Sequence, residues 1–69
     1  MMVFATKVKF VREQLKISQE ELARALIVSY ATVNRWEASR TKPNRIAKNA
    51  FYDFCERNGV HVDRDDTLK

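Results

Sequence analysis

Apolar residues recur along this chain at helical rather than alternating spacing. Phe4, Val8, Val11 and Leu15 lie four, three and four positions apart, which stacks them on one stripe of a first helix, with Thr6 as its candidate N-cap. Phe10 falls off that stripe and is free to cover a second surface. Ser18-Gln19-Glu20-Glu21 then reads as a capping box, so a second helix starts after Ser18, buries Leu22, Ala23 and Leu26, and ends near Leu26. Ser29 caps a third helix over Tyr30 to Glu37, with Val33 and Trp36 facing inward and Tyr30, Ala31, Asn34 and Arg35 on the opposite side. Residues 38–43 read as a loop, because Pro43 disfavours helix at the residue before it. Asn44 caps a fourth helix over Arg45 to Asn58, whose apolar face is Ile46, Ala47, Ala50, Phe51, Phe54 and Cys55, with Tyr52 pointing the other way. Asp53 and Arg57 pair across one turn, and Gly59 supplies the left-handed residue past the helix end.

Beyond Gly59 the pattern changes period. Val60-His61-Val62 alternates like a short strand, and residues 63–69 form a flexible polar tail, so the folded domain is expected over 1–62. The fold class predicted is all-α: a small four-helix domain with a short extended C-terminal tail.

Composition narrows the chemistry. With 69 residues the chain makes one small domain, which buries about 60% of its unfolded surface and has little room for an enclosed active site. The single glycine argues against tight hairpins and glycine-rich phosphate loops. Cys55, the only cysteine, reads as a small core hydrophobe. No Cys/His cluster suggests a metal, and no residue set suggests a cofactor. Neither a carboxylate pair nor a nucleophile with its base is assembled, so an enzyme is not expected. The apolar runs are too short to span a bilayer, and Met1 to Phe4 is too short for a signal peptide, so the expected location is the cytoplasm.

The net charge of +4 is unevenly placed. The whole excess falls in residues 1–43, and the stretch from Arg35 to Lys48 sets Arg35, Arg40, Lys42, Arg45 and Lys48 against Glu37 alone. Such a stretch points either to a polyanion partner, most often nucleic acid, or to a solvated basic face.

Two short helices joined by a tight turn, the second displaying polar side chains, have the layout of a helix-turn-helix. The residues Ile17-Ser18-Gln19-Glu20-Glu21-Leu22-Ala23, then Val28 to Glu37, then Pro43, resemble the Cro and phage-repressor family of such domains. The resemblance spans roughly residues 7 to 60. It implies a repressor-like helix-turn-helix regulator of transcription that binds double-stranded DNA as a homodimer, with its third helix in the major groove. Gln19 matches a glutamine that binds phosphate and buttresses the next helix, and Ala23 a small residue at the helix crossing. Leu22, Leu26, Val28, Val33 and Trp36 match core positions.

Tyr30, Ala31, Asn34 and Arg35 fall where this family reads bases. The Arg35 fork suits guanine O6 and N7, and Ala31 suits a thymine methyl. Tyr30 suits sugar or phosphate. Asn34 suits adenine, a phosphate or a neighbouring side chain. Thr32, Arg40, Thr41 and Lys42 read as phosphate contacts, which set register without carrying sequence information. Arg12 and Glu37 match a paired arginine and glutamate that brace the first helix against the third.

The departures are local. Ile27 and Ser39 stand where the family usually has glycine, so either those turns take another shape or the domain is strained there. The usual fifth helix is missing, which leaves Phe10, Tyr52, the apolar N-terminus and Val60 to Val62 as candidate dimer surfaces. Two other functions fit the same pattern: an antitoxin that regulates its own operon while gripping a toxin, and a protein-interaction adaptor whose basic face meets an acidic partner.

Overall fold

Three of the four helices begin on a side chain that supplies an early backbone N–H with an acceptor. A computed structural model describes residues 3–64, which form α1 (Phe4–Leu15), α2 (Gln19–Leu26), α3 (Tyr30–Glu37) and α4 (Arg45–Arg57). The Ser18 hydroxyl accepts from the Glu21 amide at 3.0 Å while the Ser18 amide donates to Glu21 Oε1 at 2.8 Å, completing the capping box. Ser29 accepts from the Thr32 amide at 3.1 Å, and Asn44 from the Ala47 amide at 2.8 Å. The start of α1 differs from its sequence signal. Thr6 lies inside the helix, and the N-cap is Val3, which makes no side-chain cap. Phe4 accounts for the early start: its ring packs edge-on against Trp36 at 5.5 Å and Phe51 at 5.1 Å, and this packing outweighs a local cap.

All four helices end in the same way. Lys16, Ile27, Ser39 and Gly59 adopt left-handed backbone with φ of 57°, 58°, 60° and 73°. After each, the next amide turns back to a carbonyl five residues earlier: Ile17 to Arg12, Val28 to Ala23, Arg40 to Arg35 and Val60 to Cys55. This is the Schellman closure, which satisfies carbonyls that the helix end orphans. Ile27 and Ser39 therefore keep the turn conformation that glycine usually serves.

Val8, Val11, Leu22, Ala23, Leu26, Val33, Trp36, Phe51, Tyr52 and Cys55 form one core, with α2 packed on both α3 and α4 and α1 packed on α3. Two positions of α4 depart from the predicted face. Tyr52 is buried at 4% exposure, and Ile46 is 80% exposed. The buried stripe is centred between Phe51 and Cys55, so Tyr52 lies at its edge and Ile46 almost opposite it on the helical wheel. Phe10 is half-buried against the core.

The segment after Gly59 is extended, but no strand forms among the described residues. The alternation of Val60, His61 and Val62 is real: both valines pack on the core and His61 is exposed, yet among the described residues no second strand lies alongside to form a ladder. The Asp63 carbonyl and Arg64 continue this segment over Tyr52 and Lys7. Residues 65–69 of the expected tail lie outside the described residues. With Tyr52 inside and Phe10, Val60 and Val62 packed on their own core, these candidate dimer residues already serve the monomer fold.

Candidate nucleic-acid interface

The inward side of α3 is anchored by Val33, Trp36 and Glu37, all buried. Its outward side carries Tyr30, Ala31, Asn34 and Arg35, all exposed, with Thr32 partly covered at the first turn. The Thr32 hydroxyl and the Ser29 hydroxyl share a hydrogen bond of 2.8 Å. Arg40, Thr41 and Lys42 follow in the exposed loop to α4, and Arg45 is exposed at the first position of that helix. Tyr30, Asn34 and Arg35, expected to meet bases, and Arg40, Thr41 and Lys42, expected to meet phosphate, are thus accessible on α3 and the loop after it, whereas Gln19, also expected to meet phosphate, lies half-buried on α2. Arg45 belongs to the same basic stretch and had no site role assigned from sequence.

Not all of the positive excess belongs to this surface. Lys7 is buried at 2% exposure, donating to the Tyr52 hydroxyl at 2.9 Å and the Asp63 carbonyl at 2.5 Å. Its charge serves the interior of the fold, a placement that the sequence pattern did not reveal.

Behind α3 the brace between Arg12 and Glu37 is bidentate. Arg12 Nε donates to Glu37 Oε2 at 2.5 Å and Nη2 to Oε1 at 2.9 Å, while Nη1 reaches the Ile17 carbonyl at 3.2 Å. Burial pushes the Glu37 carboxyl up, but hydrogen bonds from Arg12 and Gln19 and the charges of Arg12 and Lys9 prevail, holding it below the ordinary carboxylate range. The Arg12 guanidinium is held above its ordinary value by the hydrogen bond to Glu37, against desolvation. Gln19, at the first position of α2, donates to Glu37 Oε1 at 2.9 Å and accepts from Asn34 Nδ2 at 3.2 Å. A single chain of side-chain hydrogen bonds therefore joins α1, α2 and α3.

No group of three His, Cys, Asp or Glu side chains that could hold a metal occurs among the described residues. No described helix is long and apolar enough to cross a membrane.

The α2-turn-α3 unit, with a buried inner face and an exposed polar outer face on its second helix, defines a helix-turn-helix. A helix-turn-helix family profile matches residues 8–46, more than half of the chain, and the protein belongs to that family in its Cro and phage-repressor form. It is thereby a DNA-binding regulator. Comparison with curated proteins and with solved structures yields no match.

Proposed function

We propose that this protein is a sequence-specific transcriptional repressor that binds double-stranded DNA as a homodimer, each copy placing α3 in the major groove. The observation that carries this reading is the outer face of α3: Tyr30, Ala31, Asn34 and Arg35 project from a helix whose inner face and both ends are fixed. Side chains held on so rigid a support discriminate bases without first being ordered, which lowers the cost of binding. Arg35 is assigned to guanine O6 and N7, Ala31 to a thymine methyl, and Tyr30 to sugar or phosphate beside the read bases. Asn34 completes the base-reading set. Gln19, Thr32, Arg40, Thr41 and Lys42 are assigned to phosphate, which sets the register of α3 in the groove.

The dimer follows from scale. The longest dimension of the described fold is 31 Å, so one copy covers about one helical turn of roughly 34 Å and reads only a few base pairs. Two copies related by a two-fold axis read a near-palindrome, which gives the site the length that specificity requires. Occupancy of a promoter by such a pair blocks transcription without any further contact, hence the assignment to repression.

Selection of bound sites from random duplex DNA tests this reading. The expected product is a near-palindrome with half-sites about one turn apart, bound with affinity that falls steeply as salt rises. Recovery of no enriched sequence would overturn it, and an enriched single half-site bound by one copy would overturn the dimer.

A further inference from the structure

Among the described residues, large apolar side chains are left exposed at Val3, Ile27, Tyr30 and Ile46. Two of these lie within three positions of each other, where the face proposed to meet DNA begins. Ile27 is 91% exposed in the turn between α2 and α3, and Tyr30 is 52% exposed at the first position of α3, with Ala31 exposed beside it. At most about 11 Å of chain separates Ile27 from Tyr30, which keeps it at the leading end of α3. The turn is fixed to both helices: the Val28 amide returns to the Ala23 carbonyl at 2.9 Å, and Ser29 accepts from the Thr32 amide at 3.1 Å.

Nothing within the fold accounts for Ile27. Its φ of 58° is left-handed, a conformation that a β-branched residue tolerates poorly, and so exposed a side chain finds no packing to offset the strain. The other left-handed residues are Lys16, Ser39 and Gly59, which carry a polar side chain or none. A lone exposed apolar residue is ordinary on a protein surface. Ile27 differs in being strained and in continuing the apolar surface of Tyr30 and Ala31. The edge of a base pair in the major groove offers such a surface one apolar group, the C5-methyl of thymine.

We propose that Ile27 reads a thymine C5-methyl group at the margin of the site, beside the base pairs met by α3. The proposal rests on the DNA-binding reading above and adds a residue of the turn to the base-reading set. Isoleucine has neither donor nor acceptor on its side chain. It gains by covering a methyl group, whereas an unmethylated polar edge brought against it loses water without replacement. The strain in the turn is then stability given up for a contact made only on DNA.

The experiment starts from the selected site and replaces its thymines one at a time with deoxyuridine, which lacks only the methyl group. Affinities are measured for the unaltered protein, Ile27→Gly and Ile27→Asn. Glycine and asparagine both accept left-handed backbone, so the turn survives in each variant, and thermal melting establishes that both are folded. For the unaltered protein, deoxyuridine at one thymine should weaken binding roughly fourfold, the factor that corresponds to burying one methyl group. The folded Ile27 variants should show no loss at that thymine and unchanged responses at the others. With cytosine placed there instead, 5-methylcytosine should bind the unaltered protein more tightly than cytosine by a similar factor, and the variants should not distinguish the two. Equal responses to deoxyuridine in the unaltered protein and the variants would overturn the role of Ile27. So would equal weakening of the variants on operator and random DNA, which marks a contact with the backbone. Either result leaves DNA binding standing. Absence of any selected site would remove the DNA reading itself and the proposal with it.

Discussion

The Lys7 ammonium lies 2.9 Å from the Tyr52 hydroxyl, joining the first turn of α1 to α4 across 45 positions of sequence. It also donates to the Asp63 carbonyl, and it lies 5.4 Å from the centre of the Tyr52 ring, over which the Arg64 guanidinium is placed at 4.9 Å. The segment after Gly59 is thus fastened across α1 and α4 by a buried cation. Lys7→Met withdraws the donor from two oxygens and should cost about 1–3 kcal/mol, read as a lower urea midpoint at unchanged slope. Because Lys7 is inside, the salt dependence of DNA binding by the folded variant should not change.

Two ion pairs among the described residues provide an internal contrast. Asp53 and Arg57 are separated by 3.3 Å on side chains 62% and 68% exposed, whereas Glu37 and Arg12 have side chains only 5% and 23% exposed. Arg57→Ala should cost about 0.5 kcal/mol or less. Arg12→Ala strands the Glu37 carboxylate and should cost about 2–3 kcal/mol, less than a fully enclosed pair because Arg12 keeps some contact with water. The pH response has a definite sign. Glu37 titrates lower in the folded state than in the unfolded one, so between the two values the unfolded chain binds more protons. Its contribution is complete above the ordinary carboxylate value of about 4.3 and is lost as pH falls through the lower folded value. Thermal unfolding of Glu37→Gln should therefore vary less with pH across the acid range than that of the unaltered protein.

Glycine is missing from three of the four helix ends where left-handed backbone is required. Ile27 is the most strained of these by residue type, being β-branched, and at 91% exposure its side chain contributes almost no packing. Ile27→Gly should stabilise the domain by about 0.5–1 kcal/mol, since relief of the left-handed cost of roughly 1–2 kcal/mol outweighs the added freedom of the unfolded chain. Gly59→Ala is the converse. A Cβ at Gly59 meets nothing within 4 Å, so the expected loss of about 1 kcal/mol arises from the backbone alone. Melting temperatures of the two variants should move in opposite directions.

What sequence reading recovered and what it missed divide along a physical line. Helix starts at Ser18, Ser29 and Asn44 were legible because the capping side chain and the amide it serves lie within three residues. Thr6 misled, because the start of α1 is decided by Phe4 against Trp36 and Phe51, which are remote in sequence. Tyr52 and Ile46 were exchanged because α4 offers apolar residues around much of its circumference, and only its partners select the buried arc. At the interface, the period of α3 sorted Tyr30, Ala31, Asn34 and Arg35 to its outer face. That Asn34 is held by Gln19, and Gln19 by Glu37, depends on how three helices meet and leaves no trace in spacing.

Cys55 is buried in the core, and desolvation pushes its thiol up to about 11. Only the thiolate reacts with alkylating agents, so near pH 8 the folded protein should react slowly. Labelling with iodoacetamide should accelerate only as denaturant or heat opens the domain, and Cys55→Ala should abolish it. Rapid labelling of the native protein would contradict the packing of α4 described above.

Arg35 and Lys42 separate base reading from phosphate binding on one surface. Both are exposed, but Arg35 projects from the outer face of α3, whereas Lys42 sits in the loop between α3 and α4. An arginine that donates two hydrogen bonds to guanine contributes at one base pair and nowhere else. Arg35→Ala should therefore reduce discrimination at one position by about 1–3 kcal/mol. A lysine on a phosphate works through charge and counterion release, which are blind to sequence. Lys42→Ala should weaken operator and random DNA alike and reduce the slope of log affinity against log salt by about one. Titrations of both variants on both DNAs at several salt concentrations check the assignment, and equal losses on operator and random DNA for Arg35→Ala would transfer that residue to the phosphate-binding set.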